Sequence, residues 1–278
     1  MPDRAEQTVV VTGAASGIGA ACAARLDAGG WHVIGIDIVH ERCDITADLS
    51  TAEGRDDAVL QATERSGGSL AGIVTCAGLA GSPIRAGSLV ASLNFFGTVA
   101  VLEGLRPLLT AGAGAVAISS NSTTVQPEIP ADLVDACLAD DEAAARRLAD
   151  DCGSLQAYPA SKLAVAHWIR RHATGPDWAG AGLRLNAIAP GMIDTPMIAE
   201  MRGDPETAPL LDLLPIPLGR PGRPEEIAAV VEFLLGPSGS FFCGSVLFCD
   251  GGSDALLRTR DWPAAWDISV RQLGRRLS

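Results

Sequence analysis

The chain has 278 residues, of which 47% are hydrophobic and 19% charged, which is enough apolar material for one large domain with a sizeable core. Its 33 acidic against 21 basic side chains give a formal net charge of −12, which argues against nucleic acid as a partner because phosphates require a basic surface. A polar start and the lack of an uninterrupted apolar run near ~20 residues predict a cytoplasmic protein with no membrane partner.

Seven cysteines are spread along the chain without a Cys-x-x-Cys pair, and no histidine lies at metal-ligand spacing from them. This pattern predicts reduced, mostly buried thiols and no metal site. The cysteines are Cys22, Cys43, Cys76, Cys137, Cys152, Cys243 and Cys249.

A β-branched run at residues 9–11, typical of a buried parallel strand, leads into a glycine-rich turn and a helix predicted at residues 20–28. Glycines here would let the backbone approach a pyrophosphate, whose charge meets the free N–H groups of the helix N-terminus. The alternative is a tight turn without a ligand, which the strand–turn–helix context disfavours. The turn residues predicted to contact a dinucleotide are Gly13, Ser16, Gly17, Ile18 and Gly19.

The next predicted strand, residues 32–36, ends in Asp37. An acidic residue about 20 positions after the glycine turn can hydrogen-bond the adenosine ribose hydroxyls. The same carboxylate would repel a 2′-phosphate by about 4 kcal/mol at about 4 Å and an effective dielectric constant of about 20, so NAD is predicted over NADP. Arg42 could in principle offset that charge, but Glu41 beside it disfavours this.

Asp48 and Leu49 are predicted to contact adenine, the aspartate by hydrogen bonds and the leucine by packing. Asp48 is also suited to cap the helix predicted at residues 51–66, and both roles can hold. The strand predicted at residues 70–75 is followed by small residues that would let the chain pass close to the cofactor: Cys76, Ala77 and Gly78.

A long apolar helix predicted at residues 88–109 contains Asn94, whose amide needs partners if it is buried. Asn94 either holds a water in a proton path to Lys162 or bonds the backbone as a core residue, and both readings stay open. The strand predicted at residues 115–118 ends in hydroxyl residues, where Ser120 could hydrogen-bond a reacting carbonyl or alcohol oxygen. The alternative is a polar loop.

Tyr158 and Lys162 lie four residues apart, so on a helix their side chains share a face. A free phenol has a pKa of about 10, and a neighbouring cation favours the phenolate. The pair therefore predicts a tyrosine with a lowered pKa, suited to general acid/base work. On its own it is weak evidence, since a packed tyrosine and a surface lysine share this spacing by chance.

The motifs stand in one order: Thr12-Gly13-x-x-x-Gly17-x-Gly19, Cys76-Ala77-Gly78, Asn94, Ser120, Tyr158-x-x-x-Lys162, and Pro190-Gly191 with Thr195. In this combination the chain resembles the classical short-chain dehydrogenases/reductases, from residue 9 to about residue 252. Residues 47–55 and the long segment between Ser120 and Tyr158 resemble the bacterial 3α-hydroxysteroid dehydrogenase/carbonyl reductase subgroup. The resemblance implies a single-domain α/β Rossmann fold with a doubly wound, seven-stranded parallel sheet and helices on both faces.

The resemblance also implies NAD-dependent interconversion of a secondary alcohol and a ketone on a hydrophobic, steroid-like substrate. Ser120 would orient the substrate and Tyr158 would act as general acid/base. Lys162 would lower the tyrosine pKa and bind the nicotinamide ribose, and Asn94 would support a proton relay. The cofactor-binding residues implied after the sixth strand are Pro190, Gly191, Ile193 and Thr195.

Several alternatives stay open. Thr195 could instead cap the helix that begins at Pro196. Ser119 or Ser122 could replace Ser120, although the position within the Ile-Ser-Ser run favours Ser120. The same fold could act on a non-steroid cyclic or terpenoid alcohol, or serve as an NAD(H)-sensing binding protein. Cysteine at position 76, where the family usually has asparagine, is expected to change local packing rather than activity.

Three segments carry separate expectations. Residues 121–156 are a helical insertion, in which residues 130–151 are predicted as two short helices, and it would cover a face used in assembly and favour a homodimer over a homotetramer. Residues 192–223 are predicted to be an apolar substrate lid, although ordinary packing fits nearly as well. The tail at residues 253–278 holds Trp262 and Trp266, which either dock on a partner subunit or close the pocket.

Overall fold

Seven parallel strands form one sheet in the computed structural model, which describes residues 7–265, 269 and 272. The strand order is β3-β2-β1-β4-β5-β6-β7, which confirms the doubly wound Rossmann fold. The strands are β1 (Thr8–Thr12), β2 (His32–Asp37), β3 (Ile45–Thr46), β4 (Leu70–Thr75), β5 (Leu109–Ile118), β6 (Arg184–Pro190) and β7 (Val246–Cys249).

Helices cover both faces of the sheet, and β1 shows why. Val9, Val10 and Val11 are all fully buried, which requires a core on each side of the strand. Val10 packs into the larger core cluster with α2, α4 and α8, while Val9 and Val11 pack into the second cluster with α1 and α11. The helices are α1 (Gly17–Ala28), α2 (Ala52–Arg65), α3 (Gly87–Ala91), α4 (Thr98–Leu105), α5 (Ser122–Val125), α6 (Ala131–Leu138), α7 (Glu142–Cys152), α8 (Ser154–His172), α9 (Pro196–Gly203), α10 (Ala208–Asp212), α11 (Pro224–Leu235) and α12 (Ser253–Leu257).

The long helix predicted at residues 88–109 is present but changes its winding. A π-helical segment, Ser92–Gly97, joins α3 to α4. The segment Gly87–Leu108 has 22 residues and contains an 18-residue window with a mean hydropathy of 1.5, so it is long and apolar enough to cross a membrane by these two measures alone. Asn94, Glu103 and Arg106 interrupt this segment, so it is not an uninterrupted apolar run. Of its most apolar window, 72% is buried inside the fold, as in a core helix.

The segment between Ser120 and Tyr158 holds α5, α6 and α7. Helix α6 packs against α8, and α7 packs against α3. Leu133 and Cys137 of α6 and Ala145 of α7 are fully buried or nearly so, so the two helices are fixed to the body of the molecule by an apolar interface.

The cysteines are free thiols, as predicted, but they are not mostly buried. Only Cys22 and Cys137 are buried, and Cys243 is exposed, because several others lie at strand and helix ends rather than in the interior. In the tail, α12 is followed by Trp262, whose surface is 54% exposed. Trp266 lies outside the described residues, so the paired role expected for the two tryptophans is not addressed by the fold.

Candidate active site

A cavity of about 540 Å³ opens at the carboxyl ends of the strands, where β1 and β4 lie side by side and the strand order reverses. Every predicted site residue except Asn94 lines it. Those residues are Gly13, Ser16, Gly17, Ile18, Gly19, Asp37, Asp48, Leu49, Cys76, Ala77, Gly78, Ser120, Tyr158, Lys162, Pro190, Gly191, Ile193 and Thr195.

The glycine-rich turn is packed so closely that side chains cannot replace its glycines. Gly13 has a φ of +67°, and a Cβ there would lie 2.8 Å from the Ala77 nitrogen. A Cβ on Gly19 would overlap the carbonyl group of Gly13. Thr12 Oγ1 accepts hydrogen bonds from the Cys76 and Ala77 nitrogens at 3.1 and 3.0 Å, which ties the end of β4 to the turn. The result is a wall of bare backbone at the start of α1, suited to a phosphate group.

Asp37, at the end of β2, points its carboxylate into the same end of the cavity. Oδ2 accepts the Ala15 N–H at 2.9 Å and Oδ1 accepts the Val39 N–H at 3.1 Å. These bonds hold the carboxylate beside the glycine-rich turn. Arg42 is exposed and is not part of the cavity lining, so it does not offset the charge of Asp37 in this arrangement.

Asp48 does not cap α2, contrary to one of its two expected roles. The N-cap is Thr51, whose Oγ1 accepts the Gly54 N–H at 3.0 Å. Asp48 Oδ1 instead accepts the Ser50 N–H at 2.9 Å and its hydroxyl at 2.6 Å, which closes a local turn. Leu49, 4% exposed, lines the cavity between these two residues.

Helix α8 and the end of β5 bring three polar side chains together. Tyr158 and Lys162 share the cavity-facing side of α8, and Ser120 lines the same cavity and lowers the pKa of the Tyr158 phenol. Ser119 is a poor substitute for Ser120, because its hydroxyl donates to the Lys162 carbonyl oxygen at 2.9 Å. Ser122 lies outside the cavity lining and donates its backbone N–H to Ser120 Oγ at 3.1 Å.

Burial is the largest influence on the pKa of both Tyr158 and Lys162. Burial raises the pKa of Tyr158, and the hydrogen bond with Ser120 lowers it by less. Burial also lowers the pKa of Lys162 to about 8, and its Nζ donates to the Ile118 carbonyl oxygen at 2.8 Å. The direction of the Tyr158 pKa is therefore opposite to the expected lowering, because desolvation of the phenol is the largest cause. The role of Lys162 towards the phenol stays a prediction.

Asn94 lies in the π-helical segment and is fully buried. Its Oδ1 accepts the Leu79 N–H at 2.8 Å, and its Nδ2 donates to the Leu79 carbonyl at 3.0 Å and to Ser161 Oγ at 3.3 Å. The backbone-bonded reading is thus observed, while a relay to Lys162 stays a prediction. A Cβ on Gly78 would lie 3.0 Å from Asn94 Oδ1 and 3.3 Å from Lys162 Nζ, so the three residues meet at one point.

Cys76 is held by its backbone N–H, which donates to Thr12 Oγ1, and the Cys22 thiol affects its pKa. A hydrogen bond with Cys22 and burial together raise the pKa of the Cys76 thiol well above its usual range, although the charge of Lys162 opposes this. Such a thiol is protonated and packs as an apolar group. Within the described residues, no group of three or more His, Cys, Asp or Glu side chains is placed to hold a metal ion.

Thr195 has both of its expected positions at once. It is the N-cap of α9, with Oγ1 accepting the Ile198 N–H at 3.5 Å, and it also lines the cavity. Its hydroxyl donates to the Ile193 carbonyl at 3.2 Å. A Cβ on Gly191 would lie 2.7 Å from the Asp250 Cα, so the turn after β6 requires glycine there.

Three leucines that line the cavity were not predicted as site residues. Leu89 and Leu93 lie four residues apart across the α3 and π-helical segments, and they face the cavity with Leu79. The sequence contains this spacing, but the helix is apolar on every side, so its pattern does not identify the cavity-facing side. Met197 and Ile198 of α9 line the cavity as well.

The two ends of the segment at residues 192–223 are joined by backbone hydrogen bonds. Gly222 donates its N–H to the Met192 carbonyl at 2.9 Å, and Asp194 donates to the Gly222 carbonyl at 2.8 Å. Further out, Glu200 of α9 is paired with Arg85 at 2.8 Å. Arg85 also donates to the Ala80 carbonyl at 2.7 Å, so the ion pair joins α9 to the loop after β4.

Two family models match the chain. Residues 7–130 match the short chain dehydrogenase model, and residues 142–254 match the model described as enoyl-(acyl carrier protein) reductase. The segment left between them falls within the inserted residues 121–156.

Individual relatives cover nearly the whole chain. The chain is 36% identical over 255 residues to 3-alpha-hydroxysteroid dehydrogenase/carbonyl reductase of Comamonas testosteroni, covering 90% of this chain and 97% of that protein. It is 30% identical over 273 residues to cis-4-hydroxycyclohexanecarboxylate dehydrogenase of Sinomonas cyclohexanicum, covering 91% and 98%. Among solved structures, 3-alpha-hydroxysteroid dehydrogenase from Pseudomonas sp. B-0831, complexed with NADH, superposes with a TM-score of 0.86 at 42% identity, covering 92% of this chain and all of that one.

Proposed function

Because the chain belongs to the short-chain dehydrogenase/reductase family, we propose that it is an NAD-dependent oxidoreductase that interconverts a secondary alcohol and a ketone on a hydrophobic substrate. The observation that carries the proposal is the meeting of Ser120, Tyr158 and Lys162 in one cavity with the glycine-rich turn and Asp37. A proton-transfer group and a dinucleotide cradle in the same space are what hydride exchange with an alcohol requires.

The cavity residues fit a dinucleotide. Gly13 and Gly19 have no space for a side chain, so a ligand there would contact backbone atoms directly. The N-terminus of α1 would favour the phosphates of that ligand. Asp37 would accept hydrogen bonds from the adenosine ribose and repel a 2′-phosphate, so NAD is the proposed cofactor. The relative from Pseudomonas sp. B-0831 bound to NADH supports this choice. When bound, the nicotinamide supplies or accepts the hydride.

The chain's own residues would move the proton. Ser120 would hold the substrate oxygen, and Tyr158 would take the hydroxyl proton in oxidation or donate it to the carbonyl in reduction. Lys162 would hold the nicotinamide ribose. Asn94 would support the proton path from its place beside Gly78 and Lys162.

The substrate would be hydrophobic, since Leu79, Leu89 and Leu93 line the same cavity as Tyr158. Residues 192–223 would act as its lid, with Met197 and Ile198 facing the substrate. A 3α-hydroxysteroid is the proposed class, supported by the Comamonas testosteroni relative. A non-steroid cyclic alcohol is the second candidate, supported by the Sinomonas cyclohexanicum relative.

The test is NADH formation from NAD with a panel of hydrophobic secondary alcohols. The panel contains 3α-hydroxysteroids, their 3β epimers as matched controls, and substituted cyclohexanols, with NADP run in parallel. Turnover of the 3α but not the 3β epimers with NAD is the expected result. Turnover of cyclohexanols alone would discard the steroid and keep the chemistry.

A tight NADH complex without turnover of any alcohol or ketone would instead support an NAD(H)-sensing protein. Equal turnover with NADP would contradict the role of Asp37.

The inserted helices bear on assembly. Helices α6 and α7 pack on α8 and α3 of their own chain, so they cover the outer face of α8 there. We therefore propose a homodimer rather than a homotetramer, tested by sedimentation: a mass of four subunits that is lost on deleting residues 130–151 would reverse this. A cytoplasmic location stays a prediction.

A further inference from the structure

Arg55 of α2 is buried, with 7% of its surface exposed, and has no part in the proposed chemistry. Its guanidinium reaches back to the cavity wall: Nε donates to the Leu49 carbonyl at 2.9 Å and Nη2 to the Ser50 carbonyl at 3.2 Å. Leu49 and Ser50 both line the cavity. A single side chain therefore holds the backbone of the wall that the adenine end of a dinucleotide would meet.

Glu142, the first residue of α7 in the insertion, holds the other side of this guanidinium. Its Oε2 lies 2.7 Å from Nη1 and its Oε1 lies 2.8 Å from Nη2, a two-pronged contact that fixes the orientation of Arg55. Burial raises the pKa of Glu142, but hydrogen bonds with Arg55 and Ser92 and the charges of Arg55 and Arg146 outweigh it, so the pKa is lowered and the carboxylate stays ionised.

The π-helical segment meets the same group. Arg55 Nη2 donates to the Ser92 carbonyl at 3.1 Å, and its Cζ lies 5.8 Å above the centre of the Phe96 ring. A Cβ on Gly97 would lie 2.8 Å from the Leu49 carbonyl oxygen, so the π-helical segment packs directly against the backbone of Leu49. The five acceptors of Arg55 come from three separate parts of the chain, and all three guanidinium nitrogens take part, with the two N–H groups of Nη2 shared among three acceptors.

We propose that Arg55, oriented by Glu142, is a positioning residue for the cofactor. It fixes the Leu49–Ser50 wall against which the adenine of the dinucleotide packs, so the insertion sets the affinity for the nucleotide. This rests on the proposed function, since it requires a dinucleotide in the cavity. If the fork is released, the wall must be ordered when the nucleotide binds, which weakens binding. The reacting groups on α8 are untouched, so the chemical step is not slowed.

The test is Glu142→Gln, which keeps the shape of the side chain and removes its charge. NADH dissociation constants are measured by fluorescence, AMP affinity by competition against NADH, and kcat at saturating NAD. Dissociation constants for NADH and AMP are expected to rise together by about three- to tenfold, with kcat changed by less than about twofold. Glu64→Gln, an exposed glutamate on α2 itself, is the matched control and leaves all three values unchanged.

Unchanged NADH and AMP affinities in Glu142→Gln would overturn the inference, as would a parallel loss of kcat and melting temperature, which indicates general damage. Should that variant not fold, Arg55→Lys decides by the same criteria, because an ammonium keeps the charge and loses the fork. Wild-type protein that fails to bind NADH contradicts the proposed function itself. Wild-type binding with an unaffected Glu142→Gln contradicts only this inference.

Discussion

The Lys162 ammonium donates a hydrogen bond to the carbonyl oxygen of Ile118, the last residue of β5, at 2.8 Å. Lys162 is 4% exposed, and burial lowers its pKa to about 8. A lysine in water has a pKa of about 10.4, so this side chain is less easily protonated in the folded protein than in the unfolded one. The stability of the protein should therefore depend on pH in a defined direction.

The free energy of unfolding of the wild type should rise between about pH 8 and 10.5, and Lys162→Met should remove this rise. In that window the unfolded lysine binds more protons than the folded one, so the free energy of unfolding of the wild type increases with pH, by about 3 kcal/mol at most. Urea unfolding at a series of pH values measures it. Tyr158, whose raised pKa acts in the opposite direction above about pH 10, is present in both proteins and cancels. Equal slopes in the two proteins would contradict the buried, depressed lysine.

Tyr158→Phe should nearly abolish turnover and leave NADH affinity within a few-fold of the wild type. The substitution removes the hydroxyl proposed to exchange the substrate proton, and such groups contribute about 10²–10⁴ to the rate. Ring packing is kept, so the cavity walls stay in place. Steady-state kinetics and NADH fluorescence titration measure the two effects. A collapse of NADH affinity together with turnover would contradict the acid/base role.

The parts of this site that sequence can predict are local ones. The four-residue spacing of Tyr158 and Lys162 places them on one side of α8 because helical periodicity is a property of neighbouring residues. The glycine-rich turn is also local in part, since Gly13 needs its φ of +67° and a Cβ on Gly19 would overlap the Gly13 carbonyl group, although the close approach of Ala77 to Gly13 is not local. These features predicted the fold as well.

The contacts that sequence could not predict join distant parts of the chain. The acceptor of Lys162 lies 44 residues away, and Arg55 meets Glu142 across 87 residues. The direction of the Tyr158 pKa depends on burial, which spacing does not reveal. For the same reason the cavity-lining Leu89 was missed, because a helix buried on several sides has no polar face to mark its orientation.

Asp37→Asn should shift cofactor preference towards NADP. The carboxylate is the acidic group held beside the glycine-rich turn, and removing its charge removes the repulsion of a 2′-phosphate. The ratio of kcat/KM for NADP to that for NAD is expected to rise about ten- to a hundredfold. Asp44→Asn is the matched control, since Asp44 also accepts a backbone N–H, from Gly35 at 2.7 Å, but does not line the cavity. An unchanged ratio in Asp37→Asn, or the same rise in both variants, would contradict this assignment.

Glu200→Gln should weaken the hold of α9 over the substrate. The Arg85–Glu200 pair is partly exposed, so its loss is worth at most about 1 kcal/mol, and KM for a hydrophobic alcohol is expected to rise about two- to fivefold with KM for NAD unchanged. Raising the salt concentration should raise the wild-type KM towards that of the variant, because salt screens the pair. Glu206→Gln, at an exposed position of the same segment, is the control. Wild type and Glu200→Gln with equal KM at low salt would show that this contact does not hold the lid.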